Sequence, residues 1–305
     1  MRIGLITQLH GRPGGDTPPP TWKSVSLLAT AAETVGFDMF VFEDALMHRG
    51  ETSTDGFWES GSIAAAIAAT TERIEFGQSV VNSPYRSPAL TASIATTLDE
   101  ISGGRYVLGI GAGGTPDSDY EGFGFPADRR YSRFAEAIKI IHTLLRTGSV
   151  DFSGDYYTAS QAELVLRGPH AQGPPINIAA AGSKMLRLAA RYGDAWNWWG
   201  PGETVEQAGE RLRPILADLE AACGEEGRDP ASLARTYDLY SVVPPGRVFD
   251  DAENEQSVAG SPEEIAGFIL GLADYGFSEV RCDLTDKTPV GVEAMASVVD
   301  LVHAG

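Results

Sequence analysis

Leu98-Asp99-Glu100-Ile101-Ser102-Gly103-Gly104-Arg105-Tyr106-Val107-Leu108-Gly109-Ile110-Gly111-Ala112-Gly113-Gly114 decides how the chain folds. A helical period running over residues 89–101 stops at Gly103-Gly104, because glycine accepts the left-handed backbone that ends helices. The apolar run 106–111 that follows reads as a buried strand. Gly109-Ile110-Gly111-Ala112-Gly113-Gly114 satisfies the spacing GxGxxG, but a dinucleotide fingerprint needs a helix opening directly behind it. Here Thr115-Pro116-Asp117-Ser118-Asp119 and then Gly122-Phe123-Gly124-Phe125-Pro126 intervene. The glycines therefore read as a tight turn at a strand end, where the backbone also lets a flat ring come close.

The same helix-to-strand alternation extends in both directions. Strands are expected at 3–9, 39–43, 74–81, 106–111, 176–180, 195–198, 236–243 and 279–284. Helices are expected at 24–35, 57–70, 89–101, 130–146, 183–192, 205–223, 262–275 and 290–302. Ser261-Pro262-Glu263-Glu264 marks one start, with serine as N-cap, proline in the first turn and acids facing the helix dipole. Eight βα units predict an α/β chain folded as one (β/α)8 TIM barrel over 1–305, with an open doubly wound sheet as the alternative. Two alternating pieces, 150–157 and 163–166, predict a small hairpin inserted after the fourth helix.

Composition narrows the function. With 43% hydrophobic and 21% charged residues the chain can bury a large core. Its 23 Lys and Arg against 42 Asp and Glu give a net charge of −19, a field that repels nucleic acid and anionic membrane surfaces. Cys223 and Cys282 lack CxxC spacing and suit a reducing compartment. Neither a signal-peptide core nor a membrane span is evident, so a cytoplasmic protein is expected. Five scattered histidines show no metal-ligand spacing, and no GxSxG elbow occurs.

In such a barrel the chemistry lies just past the strand carboxyl ends. The polar candidates there are His10, Glu43, Asp44 and Asn82. Glu43 and Asp44 could serve a glycoside hydrolase, but strand neighbours face opposite ways. Ala180-Ala181-Gly182-Ser183-Lys184 enters a helix whose free amides and dipole suit an anion, with Lys184 adding charge, although Ser183 as a plain N-cap explains it equally. Arg281 is a second anion candidate, or the partner of an acid such as Asp283. Trp196, Trp198 and Trp199 crowd one strand end, as core packing or as walls for a planar ligand. The loops 11–20, 45–56 and 248–257 would choose the substrate.

Taken together, Ala32-Glu33-Thr34-Val35-Gly36-Phe37-Asp38, Tyr85-Arg86-Ser87-Pro88-Ala89, the 98–113 stretch, Arg130-Tyr131-Ser132-Arg133-Phe134-Ala135-Glu136-Ala137, Gly154-Asp155-Tyr156-Tyr157 and Ala189-Ala190-Arg191-Tyr192-Gly193-Asp194-Ala195-Trp196 resemble the luciferase-like monooxygenase superfamily, over nearly the whole chain. The resemblance implies a homodimeric barrel binding FMN or coenzyme F420 at the strand ends, for monooxygenation or reduction of a small organic molecule. It also implies phosphate held at Ala181, Gly182, Ser183 and Lys184. A non-prolyl cis peptide near Ser79-Val80 would back the ring, with Gly111, Gly113, Trp198 and Arg281 completing the cofactor contacts. Many deazaflavin-dependent relatives carry a histidine after the strand-two acid and a glutamate after the strand-four glycines. Ala45 and Gly114 occupy those places here, which leaves Asp44, Glu43, His10 and Asn82 as catalytic candidates. A non-catalytic flavin-binding barrel is the competing expectation.

Overall fold

The computed structural model describes residues 1–15, 18–50, 52–114, 117–202, 204–247 and 257–305. Most of the predicted loop 248–257 therefore lies outside the described residues. The barrel strands are β1 (Arg2–Thr7), β2 (Met39–Phe42), β3 (Glu75–Gln78, resuming at Val81–Asn82), β4 (Leu108–Gly111), β5 (Ile176–Ala179), β6 (Ala195–Gly200), β7 (Ala234–Val242) and β8 (Glu279–Leu284). The main helices are α1 (Trp22–Val35), α2 (Ser60–Thr70), α3 (Pro88–Ser102), α4 (Arg130–Thr147), α5 (Ser183–Tyr192), α6 (Val205–Glu225), α7 (Pro262–Gly271) and α8 (Ala296–Ala304).

Every pair in this sheet is parallel, running β3-β2-β1-β8-β7-β6-β5-β4 and back to the resumed part of β3. The interruption of β3 is a cis peptide between Ser79 and Val80. Before it the strand pairs with β2, and after it with β4. A bridge between Phe76 and Tyr106 brings the first part of β3 to the β4 side as well. Closure leaves no long strand edge unpaired, and the fold is the expected TIM barrel.

Outward-facing Ile3, Leu5, Phe40, Phe42, Leu108, Ile110, Ile176, Ile178 and Trp196 are buried in the layer shared with the helices. On α4, Phe134, Ala137, Ile138, Ile141, Leu144 and Leu145 recur at three- and four-residue spacing and form the buried face. The α7 cap forms as read: Ser261 Oγ accepts the Glu264 amide at 3.3 Å and Glu264 Oε2 accepts the Ser261 amide at 2.8 Å. The inserted hairpin pairs Ser149–Ser153 with Thr158–Glu163. Its turn is held by Glu136, which accepts the amides of Asp155, Tyr156 and Tyr157 at 2.8 to 3.0 Å.

Several boundaries differ from expectation. The helix expected from 57 starts at Ser60, because Glu59 caps it through the Gly61 and Ser62 amides and Phe57 joins a strand. That strand, Thr54–Phe57, pairs antiparallel with His10–Gly11 and Met47–Arg49, forming a rim sheet where a loop was expected. The helix expected at 262–275 tightens to a 3-10 turn over Leu272–Tyr275. The last one divides into Pro289–Glu293 and α8.

Candidate active site at the barrel mouth

The ends of four neighbouring strands, β7, β8, β1 and β2, place one set of ionisable side chains together. His10 Nδ1 is 2.7 Å from Glu43 Oε1, and the same oxygen accepts the Leu9 amide at 2.8 Å. The Glu43 hydrogen bond raises the His10 pKa above its ordinary value of 6.5, against partial burial and with Asp55 adding to the effect. The His10 ring packs on Phe57 of the rim sheet at 5.1 Å. Next along, Lys287 Nζ meets Asp283 Oδ1 at 2.8 Å, and burial pushes the Asp283 carboxyl up despite that partner. Burial also raises Tyr240 on β7, helped by the nearby charges of Asp238 and Asp283.

Asp44 faces the other way, as strand alternation requires. Its carboxylate is buried and takes both arms of Arg86, at 2.7 and 3.1 Å, with Ser60 Oγ at 2.6 Å and the Asn82 amide at 2.8 Å. Asn82 donates its side-chain amide back to the Asp44 carbonyl and accepts the Tyr120 hydroxyl at 2.8 Å. Arg86 also reaches Glu59 at 2.6 Å. Burial works against the Glu59 charge, but Arg86 and the Ser62 and Gly61 groups outweigh it and hold the carboxyl at about 2. Asp44, Asn82 and Arg86 thus tie the ends of β2 and β3 to the start of α2.

Below the mouth, the barrel interior is polar. Asp238 Oδ2 accepts Ser79 Oγ at 2.6 Å and Asn197 Nδ2 at 3.1 Å. Arg281, fully enclosed, donates Nε to Glu279 at 2.6 Å and lies 3.5 Å from Asp238 Oδ1. Burial pushes the Asp238 carboxyl up, against the pull of Arg281, Ser79 and Asn197. Burial opposes the Arg281 charge, and Glu279 and Asp238 more than restore it. Arg281 is therefore an internal counter-ion, with Glu279 and Asp238 as partners rather than the neighbouring Asp283.

The glycines of the 109–114 stretch have separate physical reasons. A Cβ on Gly109 would lie 2.0 Å from the Gln78 carbonyl oxygen, and one on Gly111 2.9 Å from Val80 Cγ2. Both are empty because β4 runs against the chain around Ser79-Val80. Gly113 has φ +93, and a Cβ there would meet Tyr120 Oη at 2.7 Å and Asn82 Oδ1 at 2.8 Å. Pro18, Pro19 and Pro20 close over Gly11 and Trp58, whose Nε1 donates to the Pro20 carbonyl at 2.6 Å.

At the start of α5, Ala181, Gly182, Ser183 and Lys184 are all exposed. Gly182 is the N-cap, with φ +76, no side-chain cap bond and open space where its Cβ would be. Its carbonyl takes the Met185 and Leu186 amides, and among the described residues the Ser183 and Lys184 amides have no acceptor. Lys184 Nζ lies 5.6 Å over the Tyr131 ring. Ser183 is not the N-cap that sequence allowed. Trp196 and Trp198 share the outer face of β6, 5.7 Å apart, while Trp199 is 39% exposed and stacks on Trp198 at 5.0 Å.

The fold brings His10 and Glu43 together, and Asp44 with Asn82, as two separate groups. Ser79 and Arg281 meet in a third, through Asp238. Asp238, Tyr240 and Lys287 were not singled out from sequence. The alternation of Thr236, Asp238 and Tyr240 with buried Tyr237 and Leu239 is the signal that could have found the first two.

Comparison with known proteins agrees with this architecture. The model of the luciferase-like monooxygenase family matches residues 1–244. A 4-hydroxyprotoasukamycin monooxygenase from Streptomyces nodosus subsp. asukaensis is 38% identical over 66% of this chain and 54% of its own length. The chain thus spans about half of that relative. An F420-dependent glucose-6-phosphate dehydrogenase from Kineococcus radiotolerans is 30% identical, over 70% of this chain and 73% of its own. A pyrimidine monooxygenase from Escherichia coli is 29% identical over 93% of this chain and 72% of its own. Among solved structures, an F420-dependent secondary alcohol dehydrogenase superposes with a TM-score of 0.79 at 19% identity, covering 99% of this chain and 98% of that one. With the matched model covering most of its length, the chain belongs to the luciferase-like monooxygenase family.

Proposed function

We propose that this protein is a flavin-type oxidoreductase, a monooxygenase that works with FMN or coenzyme F420 on a small organic molecule. The observation that carries the proposal is the His10–Glu43 pair at the barrel mouth, 2.7 Å apart, with Nε2 of His10 making no hydrogen bond among the described residues. The pair provides a proton-holding group where Ala45 and Gly114 leave the usual ones missing. Glu43 orients the ring through Nδ1, and His10 holds a proton at Nε2 for an atom in the mouth.

The residues fit the cofactor. The uncapped α5 start, with open space above Gly182 and two free amides, suits a phosphate, and Lys184 adds a charge. Ala181, Gly182, Ser183 and Lys184 would hold that end of the group. Ser79, Val80, Gly111 and Gly113 would form the wall beside the ring, braced from behind by Arg281 through Asp238, while Trp198, on the outer face of β6 against Trp196 and Trp199, lies away from it. When bound, the group supplies the hydride or oxygen chemistry. Asp44 and Asn82 keep the strand ends in place for it. F420-dependent reduction is the second reading, favoured by the F420-dependent relative that matches over 70% of the chain.

Residues 1–305 are read as one barrel domain, since β8 pairs with β1 and joins the two ends. A homodimer is proposed on exposed Leu90, Ile101, Val165 and Leu166 beside α3, the latter two 80% and 86% exposed. A cytoplasmic location is proposed on two buried free thiols. Among the described residues no helix is long and apolar enough to cross a membrane. Fluorescence titration with FMN and with F420, oxidised and reduced, tests the central reading. Binding of one of them, followed by substrate-dependent turnover, is expected, and failure to bind either overturns it.

A further inference from the structure

The charges at the ends of β1, β2, β7 and β8 are already matched. Glu43 is paired with His10 at 2.7 Å, and Asp283 with Lys287 at 2.8 Å. Just below, Asp238 and Glu279 share Arg281. An ionised substrate placed against this arc would have to shed its water and find a counter-charge already engaged. Desolvating a charge without a partner is costly, and breaking an established pair costs more.

The arc still offers hydrogen-bond donors and apolar surface. The Tyr240 hydroxyl makes no hydrogen bond among the described residues, and the residue is 44% exposed. Its burial and the charges of Asp238 and Asp283 keep the hydroxyl protonated, hence a donor. His10 Nε2–H is the other donor. Tyr240 lies at the end of β7 and His10 just past the end of β1, the two strands that flank β8 on either side. Phe57 against His10 supplies a flat apolar face. Two donors with nothing to donate to, beside an aromatic surface, call for an acceptor oxygen on an apolar ring.

We infer that the substrate is an uncharged ring compound bearing a carbonyl or hydroxyl oxygen, which His10 and Tyr240 grip by that oxygen. This rests on the oxidoreductase reading above, and it adds the chemical class of the molecule bound beside the cofactor.

The test uses the cofactor-loaded protein and three ring probes of matched size: 1-naphthol, 1-naphthoate and 1-naphthylmethylamine, titrated by calorimetry at neutral pH. Naphthol is expected to bind at least about tenfold more tightly than either ion, the weight of one good hydrogen bond without a charge penalty. His10→Asn and Tyr240→Phe should each remove about fivefold or more of that preference, and Tyr240→Phe, which alters no charge, should leave the weak binding of the ions unchanged. Thermal unfolding of each variant confirms that it is folded. Equal or tighter binding of naphthoate or the amine, no naphthol binding, or an unchanged preference in both variants overturns the inference. Cofactor titration comes first, so a protein that binds neither FMN nor F420 removes the oxidoreductase reading instead, while a cofactor-binding protein with the wrong probe order removes only this one.

Discussion

Glu43 Oε1 receives both the Leu9 amide and the Nδ1 side of His10, so one carboxylate oxygen joins the backbone and the side chain at the end of β1 to the end of β2. Leu9 and His10, both just past the end of β1, are thereby held in one geometry. The proton on the imidazole is then set by Glu43.

That relationship has a pH signature. The folded-state pKa of His10 is raised above 6.5, so its contribution to stability is complete below about 6.5 and is lost as pH rises through the folded value. Activity that needs the protonated ring falls over the same upper range. Glu43→Gln should move this limb of the kcat/KM profile down toward 6.5, and His10→Asn should lower kcat/KM by about 10²-fold. A profile whose alkaline limb does not move in Glu43→Gln excludes His10 as the proton holder.

Asp44 is a buried carboxylate whose principal partner is Arg86. Arg86→Ala strands that charge, and denaturant unfolding should show a loss of about 3–5 kcal/mol. A loss below about 1 kcal/mol, the range of a surface pair, would show that Asp44 is not braced in this way.

Gly109 and Gly114 lie five residues apart and should respond differently to alanine. At Gly109 the new methyl meets a carbonyl oxygen 2.0 Å away, whereas at Gly114 nothing lies within 4 Å. Gly109→Ala is expected to cost at least about 1–3 kcal/mol through forced backbone shifts, and Gly114→Ala under about 1 kcal/mol. Equal thermal midpoints for the two variants would contradict the close approach of β3 and β4.

Lys184→Ala should weaken binding of the phosphate-bearing cofactor about tenfold and make it less salt-sensitive, since a charge-assisted contact is removed from an exposed helix start. Fluorescence titration at two ionic strengths reads this. Unchanged affinity at low salt would place the phosphate elsewhere.

Val165→Glu with Leu166→Glu puts two charges on side chains that are 80% and 86% exposed. Light scattering should report a dimer for the parent and a monomer for the double variant, with little change in the unfolding midpoint. A monomeric parent removes the proposed dimer.

Sequence periodicity was enough for the eight strand-helix units, because a buried parallel strand and an amphipathic helix leave different apolar spacings in the chain. It also read the α7 cap and the presence of the inserted hairpin, both of which depend on residues close in sequence, although the second hairpin strand runs over Thr158–Glu163 and not 163–166, because 154–157 forms the turn. The rim sheet was not legible in this way. Its strands Thr54–Phe57 and Met47–Arg49 carry mixed exposed residues without a clean apolar face, and the pairing of Thr54–Phe57 with His10–Gly11 spans more than forty positions.

The site divides along the same line. The residue types, the glycine spacing and the Gly182-Ser183-Lys184 turn before α5 were present in the sequence, since each depends on a few adjacent side chains, whereas the structure made Gly182 and not Ser183 the cap. Which acid meets which base was settled only in three dimensions. The parallel register of β1 with β2 sends Glu43 to His10, strand alternation turns Asp44 toward Arg86, and the closed ring delivers Asp238 to Ser79 across 159 positions of chain. Local conformation is encoded by neighbours, whereas charge pairing is decided by the closure of the barrel.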